Sequence, residues 1–312
     1  MATPSSPSPL QALQRDASDV SAMLPPLLLQ AEKLTATVMA GVHGRRRAGS
    51  GETFWQYRPY IQGDAATLID WRQSARSSDR LYVRQQEWEI AATAWLWCDQ
   101  SASLDYHYSD NLPTKRERMH VLATALCSLL TDAGERAGLL GVTERPLIGR
   151  RATELFARQL LVAQNRHDAT ANAEASLPPP MDGPGAKQAI LFSDFYQPLN
   201  QLEYHFSVMA ANRVTAHLVQ IIDPSEEDYP FKGRTRFLPT QAGDSALLFG
   251  DAGALAKDYK DLFAAHHRAL EDMCRHFGWT LTTHRTDHTA QSCLIALHQL
   301  LDHHRDKAGG QH

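Results

Sequence analysis

Asp99, Ser101 and Ser103 follow an apolar run, Trp95-Leu96-Trp97-Cys98, and form the pattern D-x-S-x-S. A tight loop after a buried strand can point these three oxygens one way. Carboxylate and hydroxyl are hard ligands, suited to Mg²⁺ or Mn²⁺ rather than to zinc. Two serines leave such an ion short of charge and of ligands. It would keep water or accept a carboxylate from a partner. A second apolar run, Ile190-Leu191-Phe192, also ends in an acid, Asp194, which could complete the shell. The plain alternative is that both aspartates cap turns or helices, positions that Asp and Ser favour.

The other candidate chemistry is weaker. Asp99 could serve as a nucleophile in a phosphatase-like hydrolase, since an aspartate after a buried strand can attack phosphorus. Such enzymes want a second acid two residues on, where this chain has Ser101. No phosphate-binding glycine loop, dinucleotide fingerprint or nucleophile elbow occurs. Fifteen histidines include the pairs His266-His267 and His303-His304. Both pairs fall in helical patterns, where adjacent residues diverge and cannot share one ion. The expectation is a protein that is not an enzyme.

Residues 54–88 hold a different concentration. Phe54, Trp55, Tyr57, Tyr60, Trp71, Tyr82 and Trp88 crowd together with Arg58, Arg72, Arg76, Arg80 and Arg84. Two readings stand. Aromatics and arginines can pack on one another and pair with Asp64, Asp70 and Glu87, or they can form a recognition surface.

The elements that must position these residues follow from periodicity. A helix is expected over about 27–42, where Leu28, Ala31, Leu34, Val38 and Val42 share a face. The glycine- and arginine-rich stretch 41–51 ends it. From about Thr93, apolar runs alternate with helical patterns: a strand at 93–98, expected to be central, and a helix with Met119, Leu122, Leu126 and Leu129 on one side. A short strand near Leu139 has a hairpin partner at "RPLIGR". Further strands are expected at 188–195, 213–223 and 279–286, with a β-hairpin at 235–249 that turns at Gly243-Asp244. This alternation predicts an α/β fold: a six-stranded, mostly parallel sheet flanked by helices, with an N-terminal helix and a small β-rich element. Ligands of such sheets sit beyond the carboxyl ends of the strands, where Asp99 and Asp194 fall. Four segments are expected: a mobile 1–26, a helix plus β-rich region at 27–91, the α/β domain at 92–305 and a tail at 306–312.

Composition narrows the partners. The chain has 312 residues, 43% hydrophobic and 21% charged, with a net charge of -4. That balance excludes a broad footprint for nucleic acid, and Arg45-Arg46-Arg47 is one short basic knot. Cys98, Cys127, Cys274 and Cys293 are far apart and form no CxxC pair, which suits the cytoplasm. "MLPPLLL" is short and broken by two prolines, so neither a signal peptide nor a membrane span is expected.

The ordered block Phe54, Arg58, Tyr60, Gly63-Asp64, Ile69-Asp70-Trp71, Ala75-Arg76, Val83 and Glu89 resembles the domain of unknown function 58 family. Asp99-Gln100-Ser101-Ala102-Ser103 and "ILFSDF" continue the match, from about residue 27 to about 300. The resemblance implies a von Willebrand factor A-like (Rossmann-like) domain from about residue 92. In it, Asp99, Ser101 and Ser103 stand at the first metal-ion-dependent adhesion site (MIDAS) motif and Asp194 at the third. Thr153 is the one threonine near the second motif, inside a helix pattern, while Arg150 or Arg151 occupies the expected place. A guanidinium there would compete with a cation for the two aspartates. The resemblance further implies a non-enzymatic protein-interaction module that works with a MoxR-type AAA+ ATPase on a client needing assembly or maturation. It would act through Mg²⁺ (or Mn²⁺), or as a metal-free scaffold. The scaffold would use the 54–84 surface, with Arg58, Asp64, Asp70, Trp71 and Arg76 as partner-binding residues.

Overall fold

The computed structural model describes residues 9–42, 54–61, 64, 66–76, 80–86, 93–170, 177–182, 187–238 and 246–309. Two compact units divide the chain: residues 1–44 with 93–312, and residues 45–92.

The larger unit is built on a five-stranded parallel sheet. Its strands are β3 (Thr93–Cys98), β4 (Arg136–Leu139), β5 (Lys187–Ser193), β6 (Val214–Ile222) and β9 (Thr280–Arg285), in the order β4-β3-β5-β6-β9. The helices between them are α3 (Lys115–Asp132), α4 (Ala152–Thr170), α5 (Leu199–Ala211), α6 (Pro224–Asp228), α7 (Ala256–Phe277) and α8 (Ala290–Gly309). Side chains alternate across the pleat and split the core into two layers. Leu96, Cys98, Ile190, Phe192, Val219 and Ile221 face one way, against Leu122 and Leu126 of α3 and Leu294 and Leu297 of α8. Trp97, Ala189, Leu191, Ala216 and Leu218 face the other, against Phe206 and Met209 of α5 and Leu270 and Cys274 of α7. Strands buried on both faces explain why the sequence shows continuous apolar runs here rather than alternation.

Several expectations change. The sheet has five strands instead of six: "RPLIGR" contributes a single antiparallel bridge, Ala137 to Leu147. Pro146 has no N–H to donate, and Gly149 turns the chain at φ +81, so pairing is confined to Leu147. β3 is interior, but the middle strand is β5. The N-terminal helix α1 runs Pro9–Val42 instead of beginning near Leu27. It continues through Pro25 and Pro26, which each remove a helix donor at a cost of about 3 kcal/mol. Tertiary packing offsets that cost. Val20 and Leu27, one on each side of the prolines, share a buried cluster with Ala157 and Leu161 of α4. The expected mobile segment 1–26 is therefore helical from Pro9, and residues 1–8 lie outside the described residues. α1 belongs with the sheet, not with the β-rich region. At the other end, α8 extends past 305 to Gly309.

Close approach constrains β4. A Cβ on Gly138 would lie 2.6 Å from Cζ3 of Trp95, its register partner on β3. The hairpin consists of β7 (Thr235–Phe237) and β8 (Leu247–Phe249). Its expected turn at Gly243-Asp244 lies outside the described residues. A run of ring contacts, Phe249 to Phe237 to Phe231 to Tyr108, ties it to the loop after β3.

The smaller unit pairs β1 (Phe54–Pro59) with β2 (Tyr82–Gln86), antiparallel, around the one-turn helix α2 (Trp71–Ser74). Val83 and Ile69 are buried and bridge to each other. The Ser74 hydroxyl oxygen accepts from the Tyr82 N–H at 2.8 Å. Arg45-Arg46-Arg47, Glu87, Trp88 and Glu89 lie outside the described residues.

Candidate functional site

The carboxyl ends of β3, β5 and β6 converge on one polar cluster, and the sheet register dictates it. The Asp99 N–H still donates to Phe192 O at 2.9 Å, so Asp99 prolongs β3 by one residue before the chain turns. The Asp99 side chain makes that turn: its Oδ1 accepts from the Ser101 N–H at 2.7 Å. Its Oδ2 accepts from the Ser193 hydroxyl at 2.6 Å and from Gln197 Nε2 at 3.1 Å. Asp99 is completely buried at 0% exposure. Burial, with the nearby Asp194 charge, pushes its carboxyl up to about 6, although the Ser193 and Ser101 hydrogen bonds oppose the shift.

Asp194 follows β5. Its Oδ2 accepts from the Ser103 hydroxyl at 2.6 Å, and the Ser101 and Ser103 hydroxyls lie 3.0 Å apart. The structure thus brings Asp99, Ser101, Ser103 and Asp194 together as the spacing predicted. Thr153 does not join them. It sits half-buried in the first turn of α4, and no hydrogen bond among the described residues links it to either aspartate. Arg150 and Arg151 are exposed.

A competing cation is nevertheless present, and it comes from α3. Lys115 Nζ donates to Asp194 Oδ2 at 2.9 Å and to Glu226 Oε1 at 2.6 Å. It also lies 5.2 Å from the Tyr196 ring centroid. Its side chain is 1% exposed. Burial alone would lower its pKa, but Asp194 and Glu226 hold the ammonium above its ordinary value. Glu226 is fixed in turn: its Oε2 accepts from the Asp223 N–H at 2.8 Å, in the capping box of α6. The next residue, Arg116, clasps the loop after Asp99. It pairs with Asp105, and its NH2 donates to Ser101 O at 2.9 Å.

No sequence motif marks Lys115, Arg116, Ser193, Gln197 or Glu226. A signal was available. Thr114 caps α3 with Glu117, and Lys115 and Arg116 open the first turn ahead of that acid, where the helix dipole favours anions. Such a local conflict implies acids brought in from elsewhere.

These residues do not fit a divalent cation in this arrangement. Mg²⁺ demands a near-octahedral set of oxygens. Here both Asp99 oxygens are engaged, the serine hydroxyls bond each other, and Asp194 Oδ2 already takes a hydroxyl and an ammonium. A divalent ion sharing that oxygen with Lys115, at about 4 Å, would be repelled by roughly 8 kcal/mol at an effective dielectric constant near 20. Among the described residues no group of three or more His, Cys, Asp or Glu is arranged to hold a metal ion. Asp99, the candidate nucleophile, is fully buried and already accepts from the Ser101 N–H, the Ser193 hydroxyl and Gln197 Nε2.

The histidines have other work. His266 Nε2 lies 2.7 Å from Phe195 O and His267 Nδ1 2.9 Å from Gln220 Oε1, so the adjacent rings diverge as expected. The His303 and His304 side chains lie outside the described residues.

In the smaller unit, Asp70 Oδ1 caps α2 by accepting from the N–H groups of Arg72 and Gln73, and Tyr57 donates to its Oδ2 at 3.1 Å. Asp64 Oδ2 accepts from the Ile61 N–H at 2.9 Å. Both acids shape the backbone. Trp71, Arg72, Arg76 and Arg80 point outward, with Trp71 65% exposed. A hollow of about 290 Å³ is lined by Tyr57, Asp70, Arg72, Gln73 and Arg76. Arg58 pairs through its backbone with Val83, and its side chain lies outside the described residues.

Residues 56–269 match the model of a family described as protein of unknown function DUF58. The chain belongs to the DUF58 family. The matched span takes in α2, Asp99, Lys115, Asp194 and Glu226, and leaves α1, β9 and α8 outside. No curated protein matches. Among solved structures, this DUF58 chain is similar to a conserved hypothetical protein BatB from Bacteroides thetaiotaomicron, at 12% identity and a TM-score of 0.34. That likeness covers 66% of this chain and 96% of the other. It is also similar to an aerotolerance-related membrane protein from Bacteroides fragilis NCTC 9343, at 10% identity and a TM-score of 0.34, covering 67% and 98% of the two chains. Among the described residues of this DUF58 member, no helix is long and apolar enough to cross a membrane.

Proposed function

We propose that this DUF58 chain is a non-enzymatic protein-interaction module of the cytoplasm. It contacts its partner through the arginine and tryptophan face of the smaller unit, without a metal ion. The observation that carries this reading is the outward-facing set Trp71, Arg72, Arg76 and Arg80. Tryptophan and arginine dominate the energetics of protein interfaces, and none of these arginines enters an ion pair among the described residues. Three unpaired guanidiniums beside one exposed indole favour an acidic protein surface. The net charge of -4 argues against nucleic acid as the target of that face.

The proposed partner is a MoxR-type AAA+ ATPase, with a client protein that the pair assembles or matures. Adhesion through Mg²⁺ is the less favoured mode, because Lys115 already neutralises Asp194. The test is capture of the purified ATPase by the full chain. Trp71→Ala and Arg76→Ala should each weaken capture by about tenfold or more while leaving the thermal transition unchanged. Folded variants that capture the ATPase as well as wild type would overturn the reading.

A further inference from the structure

We infer that the strand-end site is self-complemented: Lys115 stands as its resident cation, and Glu226 is the carboxylate that caps that cation. The inference accompanies the metal-free reading above, but metal titration decides it rather than partner capture.

Three observations converge on it. The Lys115 ammonium is sealed from solvent and bonds the same Asp194 oxygen that accepts from Ser103. It sits in the first turn of α3, where the helix dipole disfavours a positive charge, so its stabilisation comes from Asp194 and Glu226. Glu226 in turn is oriented by its backbone contact in α6, not by a solvent-facing partner. Lysine thus supplies the positive charge that a hard cation would bring, and a carboxylate of the same chain fills the place an incoming acid would take.

Removing the lysine would free Asp194 Oδ2 and Glu226 Oε1 beside the hydroxyls of Ser101 and Ser103, while Asp99 keeps its bonds to Ser101, Ser193 and Gln197. Two carboxylates and two hydroxyls, completed by water, are a hard-oxygen set suited to Mn²⁺ or Mg²⁺. The site is therefore a latent divalent-cation site, closed by one side chain.

The experiment is a Mn²⁺ titration followed by electron paramagnetic resonance on wild type, Lys115→Ala and Lys115→Ala/Asp194→Asn, each also melted with and without Mn²⁺. Wild type should bind at least about tenfold more weakly than Lys115→Ala, and Mn²⁺ should raise the melting temperature of Lys115→Ala alone. The double variant should lose the gain. Wild type binding Mn²⁺ as tightly as Lys115→Ala, or a folded Lys115→Ala binding no better than wild type, overturns the inference. If Lys115→Ala does not fold by itself, recovery in Mn²⁺ but not in K⁺ supports the inference, and failure to recover in Mn²⁺ overturns it. A wild-type melting temperature raised by Mn²⁺ overturns the inference whether or not the variants fold.

Discussion

Asp99 is an acid whose main role is to turn the chain, and its environment leaves a measurable mark. Its folded pKa, about 6, lies above the ordinary 3.8. The folded state therefore holds a proton more tightly than the unfolded state between those values. Its contribution to stability is full below about pH 4 and is lost as pH rises through about 6, a change on the order of 3 kcal/mol. Asp99→Asn keeps the turn but does not titrate. Its stability relative to wild type should thus rise by that amount between about pH 4 and pH 7 in urea unfolding. Parallel pH curves for the two proteins would refute the assignment. The positions of Asp99, Ser101, Ser103 and Asp194 were legible in the sequence, because a polar residue that ends an apolar run declares a strand end. Lys115 was not: its two acids lie 79 and 111 residues away, and no local pattern encodes that meeting.

Elements were legible wherever one periodicity dominated. The apolar runs of β3, β5 and β6 and the helical spacing of α3 appear where expected. α1 was half legible. Pro25-Pro26 is a local stop signal, and only the distant Ala157 and Leu161 explain why the helix passes through it. The edge of the sheet was harder to read, because strand order is a property of long-range pairing. β4 carries a requirement of its own there. The missing side chain of Gly138 makes room for the Trp95 ring. Gly138→Ala should cost about 1–3 kcal/mol in chemical denaturation, as overpacking does. An unchanged midpoint would mean that the indole moves aside freely.

For the whole molecule, the two core layers give a test of cooperativity. Cys98, Cys127 and Cys293 belong to one layer and Cys274 to the other, and all four are buried free thiols. Burial pushes the thiols of Cys127, Cys274 and Cys293 up to about 12, which suppresses the reactive thiolate. A disulfide reagent should label none of them in the native protein. If the layers unfold together, all four should become reactive over one urea transition. Cys274 reacting well before the others would show that the α5–α7 layer opens by itself. The α/β class was legible from alternation alone. The division into two units, with α1 joined to the sheet across the intervening residues 45–92, was not, because it depends on which distant surfaces α1 covers.

Lys115 between Asp194 and Glu226 also has a genetic meaning. Either lysine codon is one base change from a threonine codon and one from an asparagine codon, and both of those residues offer oxygen ligands. A lineage could therefore pass between a site that carries its own charge and one that must acquire a metal through a single substitution. The first state is indifferent to the cell's magnesium supply, and the second is bound to it.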